Sequence, residues 1–182
     1  MHHAIGLIEL SSVASGFAVG DAMVKAAGVD VLLARTICSG KYMVMIGGEV
    51  GSIEESVKIG LEIGDSAVID QLVLPNVHES LFPAIGGLTV PEHLEALGII
   101  EAFSVASLIV GADAAAKFAD VRILEVRLAM ALGGKAFVTM TGDVAAVEEA
   151  VEVGAALIAE RGMLVNKVVI PHPDPGMFRE IV

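Results

Sequence analysis

Read as a pattern of apolar and polar positions, the chain alternates strand-length apolar runs with segments of helical period. Ala4–Leu10 is a short, largely apolar run that predicts a strand. Val13, Phe17, Gly20, Val24 and Ala27 then recur at helical spacing, which predicts a helix over 14–27 with those residues as its packing face. Ser12 is placed to cap that helix and Gly28 to end it. Residues 29–37 and 42–47 read as two strands joined by the tight turn Cys38-Ser39-Gly40-Lys41, a hairpin. A second helix is predicted over 52–64. Ile53, Val57, Gly60 or Leu61, and Gly64 face inward there, and Glu54, Glu55, Lys58 and Glu62 face outward. A last strand over 68–74 ends at Pro75, and 76–85 form a turn with a short helix.

The whole pattern then repeats. Gly6-Leu7-Ile8-Glu9 returns as Gly98-Ile99-Ile100-Glu101, and Ser12-Val13-Ala14-Ser15 returns unchanged as Ser104-Val105-Ala106-Ser107. Asp21 matches Asp113, Lys25 matches Lys117 and Arg35 matches Arg127. After a longer turn in the second copy, Gly40-Lys41 matches Gly134-Lys135. Near the ends Pro75, Leu81-Phe82 and Ile85 match Pro171, Met177-Phe178 and Ile181. Each copy has the order β-α-β-β-α-β, the ferredoxin-like α+β pattern of an antiparallel sheet with helices on one face. The expected division is a first domain over 1–86, a linker over 87–95 and a second domain over 96–182. Two like domains in one chain imitate a dimer, and three such chains closing head-to-tail would imitate a hexamer.

Composition changes this picture in two ways. Apolar residues make up 55% of the chain and mean hydropathy is +0.77, so a membrane has to be considered. A spanning helix needs roughly 18 or more apolar residues. Here charge interrupts every candidate run: Glu101 and Asp113 bracket 102–112, and Glu79 and Glu92 bracket 80–91. No transmembrane helix is expected, and Met1-His2-His3-Ala4 lacks the basic flank of a signal peptide. The apolar excess points instead to burial between subunits. The second change comes from charge. Lys and Arg total 11 against 23 Asp and Glu, a net of −12, and there is no Trp. Nucleic acid and anionic membranes are therefore not expected partners.

Candidate chemistry is sparse. Cys38 is the single cysteine, which excludes a disulfide within the chain and suits a reducing cytoplasm. By itself it reads either as a small buried hydrophobe or as one ligand of a metal site. His2, His3, His78, His93 and His172 show no metal-ligand spacing beyond the terminal pair. Glu54-Glu55 and Glu148-Glu149 read as solvated helix faces, and Lys41 and Lys135 as solvated turn ends or charge near a pore. Gly16 and Gly20 mark a helix packed closely on its sheet. No phosphate-binding loop, nucleophile elbow or catalytic triad is visible, and no histidine is placed to activate Cys38, so an enzyme is not expected.

The ordered set of motifs resembles the bacterial microcompartment shell proteins, in the tandem-domain type that forms pseudohexameric trimers. The residues that carry the resemblance are Ala4-Ile5-Gly6-Leu7-Ile8-Glu9, Asp21-Ala22-Met23-Val24-Lys25, Cys38-Ser39-Gly40-Lys41, Gly48-Glu49-Val50-Gly51-Ser52-Ile53 and Pro75. Strand order is unpermuted in both copies. The resemblance implies a homotrimer tiled among hexameric shell proteins around a metabolic core in the bacterial cytoplasm. Its central pore would be lined by Ile37, Cys38, Ser39, Met130, Ala131, Leu132 and Gly133. It further implies one [4Fe–4S] cluster per trimer, with Cys38 as metal ligand and Ser39 and Gly40 bringing backbone to the cluster for electron transfer to or from enclosed redox enzymes. Met130, the second-copy counterpart of Cys38, is a poorer ligand, so such a site would be threefold. Lys25 and Lys117 match the tile-edge lysine, whereas the edge arginine of the family's Pro-Arg-Pro-His run is missing after both Pro75 and Pro171. An open metabolite pore without a cluster, and a trimeric ferredoxin-like ligand-binding regulator, are the alternatives.

Overall fold

A computed structural model of the chain describes residues 3–87, 94–129, 132–174 and 176. It contains two compact units, Met1–Val77 and His78–Val182. The first has β1 (Ala4–Leu10), α1 (Val13–Ala26), β2 (Asp30–Ile37), β3 (Lys41–Gly48), α2 (Val50–Gly64) and β4 (Val68–Pro75), with strand order β2-β3-β1-β4. The second has α3 (Leu81–Gly86), β5 (Ala96–Ala102), α4 (Val105–Phe118), β6 (Arg122–Leu128), β7 (Ala136–Gly142), α5 (Val144–Glu160) and β8 (Leu164–Pro171). Its strand order, β6-β7-β5-β8, repeats the first. Every strand pair is antiparallel, as the ferredoxin-like pattern predicts.

The central strand explains why each copy opens on an apolar run. β1 pairs with β3 on one side and β4 on the other, and all seven of its residues are buried. A strand covered on both faces reads as continuous hydrophobe rather than alternation. Ile8 and Leu10 meet Val19 and Met23 of α1 and Ile53 and Val57 of α2 in one core. Gly6 lets α2 come close, since a Cβ there would stand 2.7 Å from the Val57 side chain. The buried face of α2 is Ile53, Ser56, Val57, Gly60 and Gly64, in line with the spacing, and its glutamates lie outward.

Helix α1 corrects an expectation. Its buried residues are Gly16, Val19 and Met23, whereas Phe17 is 65% and Val24 41% exposed. The helix carries apolar side chains on two sides, so period alone selects the wrong one. Gly16 lets α1 approach β3 closely, since a Cβ there would stand 2.3 Å from Tyr42 Cδ1, while the Phe17 ring rests on the outer side of the same tyrosine with centroids 5.0 Å apart and stays outside the core. In the duplicate helix α4 both sides are buried, including Ile109 and Ala116 at the positions of Phe17 and Val24.

Ends are capped as expected. Ser12 Oγ accepts from the Ser15 N–H and Ser104 Oγ from the Ser107 N–H. Asp143 serves α5 in the same way, through the Ala146 N–H. Each copy leaves its last strand through a left-handed residue, Asn76 (φ 52°) in the first and His172 (φ 48°) in the second. The Val77 N–H donates to the His3 carbonyl at 3.1 Å, and the His172 N–H to the Glu95 carbonyl at 2.7 Å. Residues 78–86, which the repeat counts with the first copy, pack in the second unit: α3 lies against β6, and Leu81, Ala84 and Ile85 are buried.

Candidate functional site

The β2–β3 connection holds the candidate site of the first copy. β2 ends at Ile37, which is buried, and the chain makes one 3-10 turn over Cys38–Gly40 before β3 begins. Gly40 closes that turn at φ 73°, a conformation that costs a side-chain-bearing residue about 1 kcal/mol or more. Cys38 is half-buried and forms no disulfide. The β2–β3 register, from Ile37 opposite Lys41 to Asp30 opposite Gly47, holds the turn at the end of a rigid hairpin.

The second copy makes this connection differently. β6 ends at Leu128, and Ala129, buried, turns left-handed at φ 48°. The Lys135 N–H donates to the Leu132 carbonyl at 3.2 Å, and Gly133 (φ 62°) and Gly134 (φ 90°) complete the return to β7. Leu132 and Gly133 thus occupy the turn expected of them, while Met130 and Ala131 lie outside the described residues.

One arrangement was missed in the sequence. Lys41 Nζ lies 3.8 Å from Glu9 Oε2, and Lys135 Nζ lies 2.5 Å from Glu101 Oε1. The same pair therefore occurs in both copies, tying the foot of each turn to the central strand. The Glu9 side chain is only 6% exposed, so Lys41 supplies charge to a buried carboxylate rather than standing free in water. The signal was present as matched Glu9/Glu101 and Lys41/Lys135, but strand register is needed to bring the partners together.

The two lysines expected at the tile edge differ in their surroundings. Lys25 pairs with Asp21 at 2.6 Å with both side chains largely in solvent. Lys117 pairs with Asp113 at the same distance, but Asp113 is only 7% exposed and also accepts the His78 N–H at 2.7 Å.

Chemically, the Cys38 turn offers one thiol. An iron–sulfur cluster takes three or four protein ligands, and among the described residues no group of three or more His, Cys, Asp or Glu side chains is placed to hold a metal. One chain alone does not fit a cluster. The donor set fits only where Cys38 from several copies shares an axis. Among the described residues no helix is long and apolar enough to cross a membrane.

These features define a duplicated α+β domain with a chemically distinct turn in one copy, and comparison with known proteins agrees. The BMC domain family matches residues 4–77 and again 96–173. The bacterial microcompartment shell protein PduT of Citrobacter freundii is 42% identical over 182 residues, covering 100% of this chain and 99% of that one. The shell protein EutM of Salmonella typhimurium is 40% identical over 88 residues, 48% of this chain and 88% of its own. The crystal structure of a microcompartment protein from Desulfitobacterium hafniense DCB superposes with a TM-score of 0.93 at 50% identity, covering 98% of this chain and 99% of that one. The chain belongs to the bacterial microcompartment shell-protein family, with two BMC domains in tandem.

Proposed function

We propose that the chain is a non-enzymatic tile of a microcompartment shell. It assembles as a homotrimer whose six domains imitate a hexamer, and it is laid among hexameric shell proteins in the bacterial cytoplasm. Three Cys38 thiolates on the trimer axis hold one [4Fe–4S] cluster, leaving one iron open to an exogenous ligand. When bound, the cluster supplies one-electron chemistry, passing electrons across the shell to or from enclosed redox enzymes. Buried Ile37 and left-handed Gly40 shape the turn that carries Cys38 and Ser39 and would present the thiol to the cluster. The observation that carries this reading is the single thiol at a hairpin tip in one copy only of a duplicated domain. A threefold axis converts that one thiol into a three-ligand set.

A second reading keeps the tile and leaves the turn as an open metabolite pore. It asks nothing more of the turn than the one thiol that each chain carries. Anaerobic purification with iron, sulfide and EPR analysis of wild type and Cys38→Ala separates the two. About four irons per three chains in wild type, absent from the variant, is the expected result. Wild type that takes up no iron on reconstitution leaves the open pore. Electron microscopy with a hexameric partner tests the tile itself: sheets or closed shells are expected, and discrete trimers that bind a small ligand would indicate a regulator instead.

A further inference from the structure

The hairpin that carries Cys38 holds a second chemical difference between the copies. Arg35 of β2 and Arg127 of β6 occupy one place in the fold. Each follows the same irregularity in its strand, between Val31 and Leu33 in one and between Ile123 and Glu125 in the other. Each then starts a row across its sheet: Arg35 beside Met43 beside Glu9, and Arg127 beside Phe137 beside Glu101. These rows lie on the sheet face turned away from the helices, since Ile8 and Leu10, on either side of Glu9, enter the core under α1 and α2.

What surrounds the two guanidinium groups differs. Arg127 is closed off: its Nε donates to Glu125 Oε1 at 2.7 Å, its Nη2 lies 2.6 Å from the same oxygen, and the group rests over the Phe137 ring at 5.4 Å. The first copy has neither companion. Leu33 stands in the place of Glu125, and Met43 in the place of Phe137. Arg35 Nε is buried and has no hydrogen-bond partner among the described residues. Glu9, two strands away in the same row, is engaged by Lys41. A buried donor without an acceptor forfeits the hydrogen bond it made in water, and the penalty is greater on a charged group, so this place favours an anion.

The duplicate indicates which anion. In the second unit the same guanidinium is satisfied by a carboxylate, the group that matches its planar fork of N–H donors. In the first unit a bound carboxylate would meet the half-buried side chain of Leu33 rather than further donors. A phosphate brings more charge and more oxygens than one guanidinium serves, and the net charge of −12 opposes any larger polyanion. An aliphatic monocarboxylate suits both neighbours, with a charged end for Arg35 and an apolar remainder for Leu33. Both residues are partly exposed, and β2 is an edge strand, so a small ligand can reach them.

We propose that Arg35 is the binding residue of a site for a short-chain aliphatic carboxylate, one per chain, in the β2 strand that leads into the Cys38 turn. The ligand's carboxylate takes the place that Glu125 fills beside Arg127, and its apolar tail lies along Leu33. The site is built from one unit alone and goes beyond the shell reading, so it stands with or without iron at Cys38.

Calorimetric titration of butyrate into the full chain tests this, with butyramide as the neutral isostere and inorganic phosphate as the competing anion. One equivalent of butyrate per chain is expected, with no binding of butyramide or phosphate. Either compound binding as tightly as butyrate overturns the carboxylate assignment. Two variants locate the site. Arg35→Gln is expected to weaken butyrate at least about tenfold, through loss of the charge-assisted pair. Leu33→Glu supplies the second unit's carboxylate from within the chain. The guanidinium then remains, the circular dichroism spectrum is unchanged, and butyrate is excluded to the same extent. Butyrate that binds Leu33→Glu as it binds wild type overturns the proposal, even where Arg35→Gln fails to fold. Wild type that takes up no butyrate at about 50 mM, well above the dissociation constant expected of so small a ligand, overturns it too.

Discussion

Gly111 of α4 and Gly154 of α5 face one another where the two helices cross, so closely that neither position has room for a methyl group. A Cβ on Gly111 would stand 2.8 Å from the Gly154 carbonyl oxygen, and one on Gly154 would stand 2.7 Å from the Gly111 carbonyl oxygen. The first copy solves the same crossing with one glycine: Gly60 lies under the flexible side chain of Met23. Backbone cannot yield as a methionine can. Gly154→Ala is therefore expected to lose roughly 1–2 kcal/mol, overpacking outweighing the better helix propensity of alanine. Thermal unfolding checks this, with a fall of about 2–4 °C per kcal/mol at this size. Gly51→Ala, where a Cβ meets nothing within 4 Å, is the control and should not fall.

The turn that carries Cys38 depends on Gly40 at φ 73°. Gly40→Ala is expected to cost about 1–2 kcal/mol of stability, since no atom crowds the site and only the left-handed backbone resists. On the cluster reading, iron per chain falls in this variant although every thiol remains. Iron content equal to wild type would show that the turn's shape does not position Cys38.

Lys25 and Lys117 occupy one sequence position but different surroundings. Lys25→Ala removes an exposed pair and should change stability by less than about 0.5 kcal/mol; on the tile-edge reading it also abolishes sheet formation with shell partners. Lys117→Ala removes a partner of buried Asp113. That carboxylate keeps the His78 N–H, and Lys117 is 41% exposed, so the expected loss is about 1 kcal/mol, below the full value of a charged hydrogen bond. Urea melts of the two variants compare the stabilities directly, and electron microscopy of the Lys25 variant reads the edge.

Ser12→Ala, Ser104→Ala and Asp143→Ala each delete one helix cap. Each is expected to lower stability by about 1 kcal/mol. Denaturant midpoints that do not move would mean that water replaces the capping oxygen at no cost.

The sequence was legible wherever charge marked one side of an element. α2 was read correctly because Glu54, Glu55, Lys58 and Glu62 label its outer face, and the duplication followed from matched motifs. α1 was misread because Phe17 and Val24 are as apolar as Val19 and Met23, and period alone does not say which of the two sides enters the core. The Lys41–Glu9 tie was illegible because it depends on the register that sets Leu10 opposite Tyr42. The position of residues 78–86 was illegible for another reason. A repeat in sequence assigns a segment to the copy that contains it, whereas packing assigns it to the surface it covers.

The bond from the Val77 N–H to the His3 carbonyl brings the beginning and end of the first domain within one peptide's reach. The entry to the central strand and the exit from β4 are thus neighbours, and joining them takes only a few residues of new chain. Reopening the circle at the β2–β3 turn would keep every strand pairing while moving both termini to the hairpin tip. The same tile is therefore open to circular permutation, which would relocate its free ends without rebuilding its core.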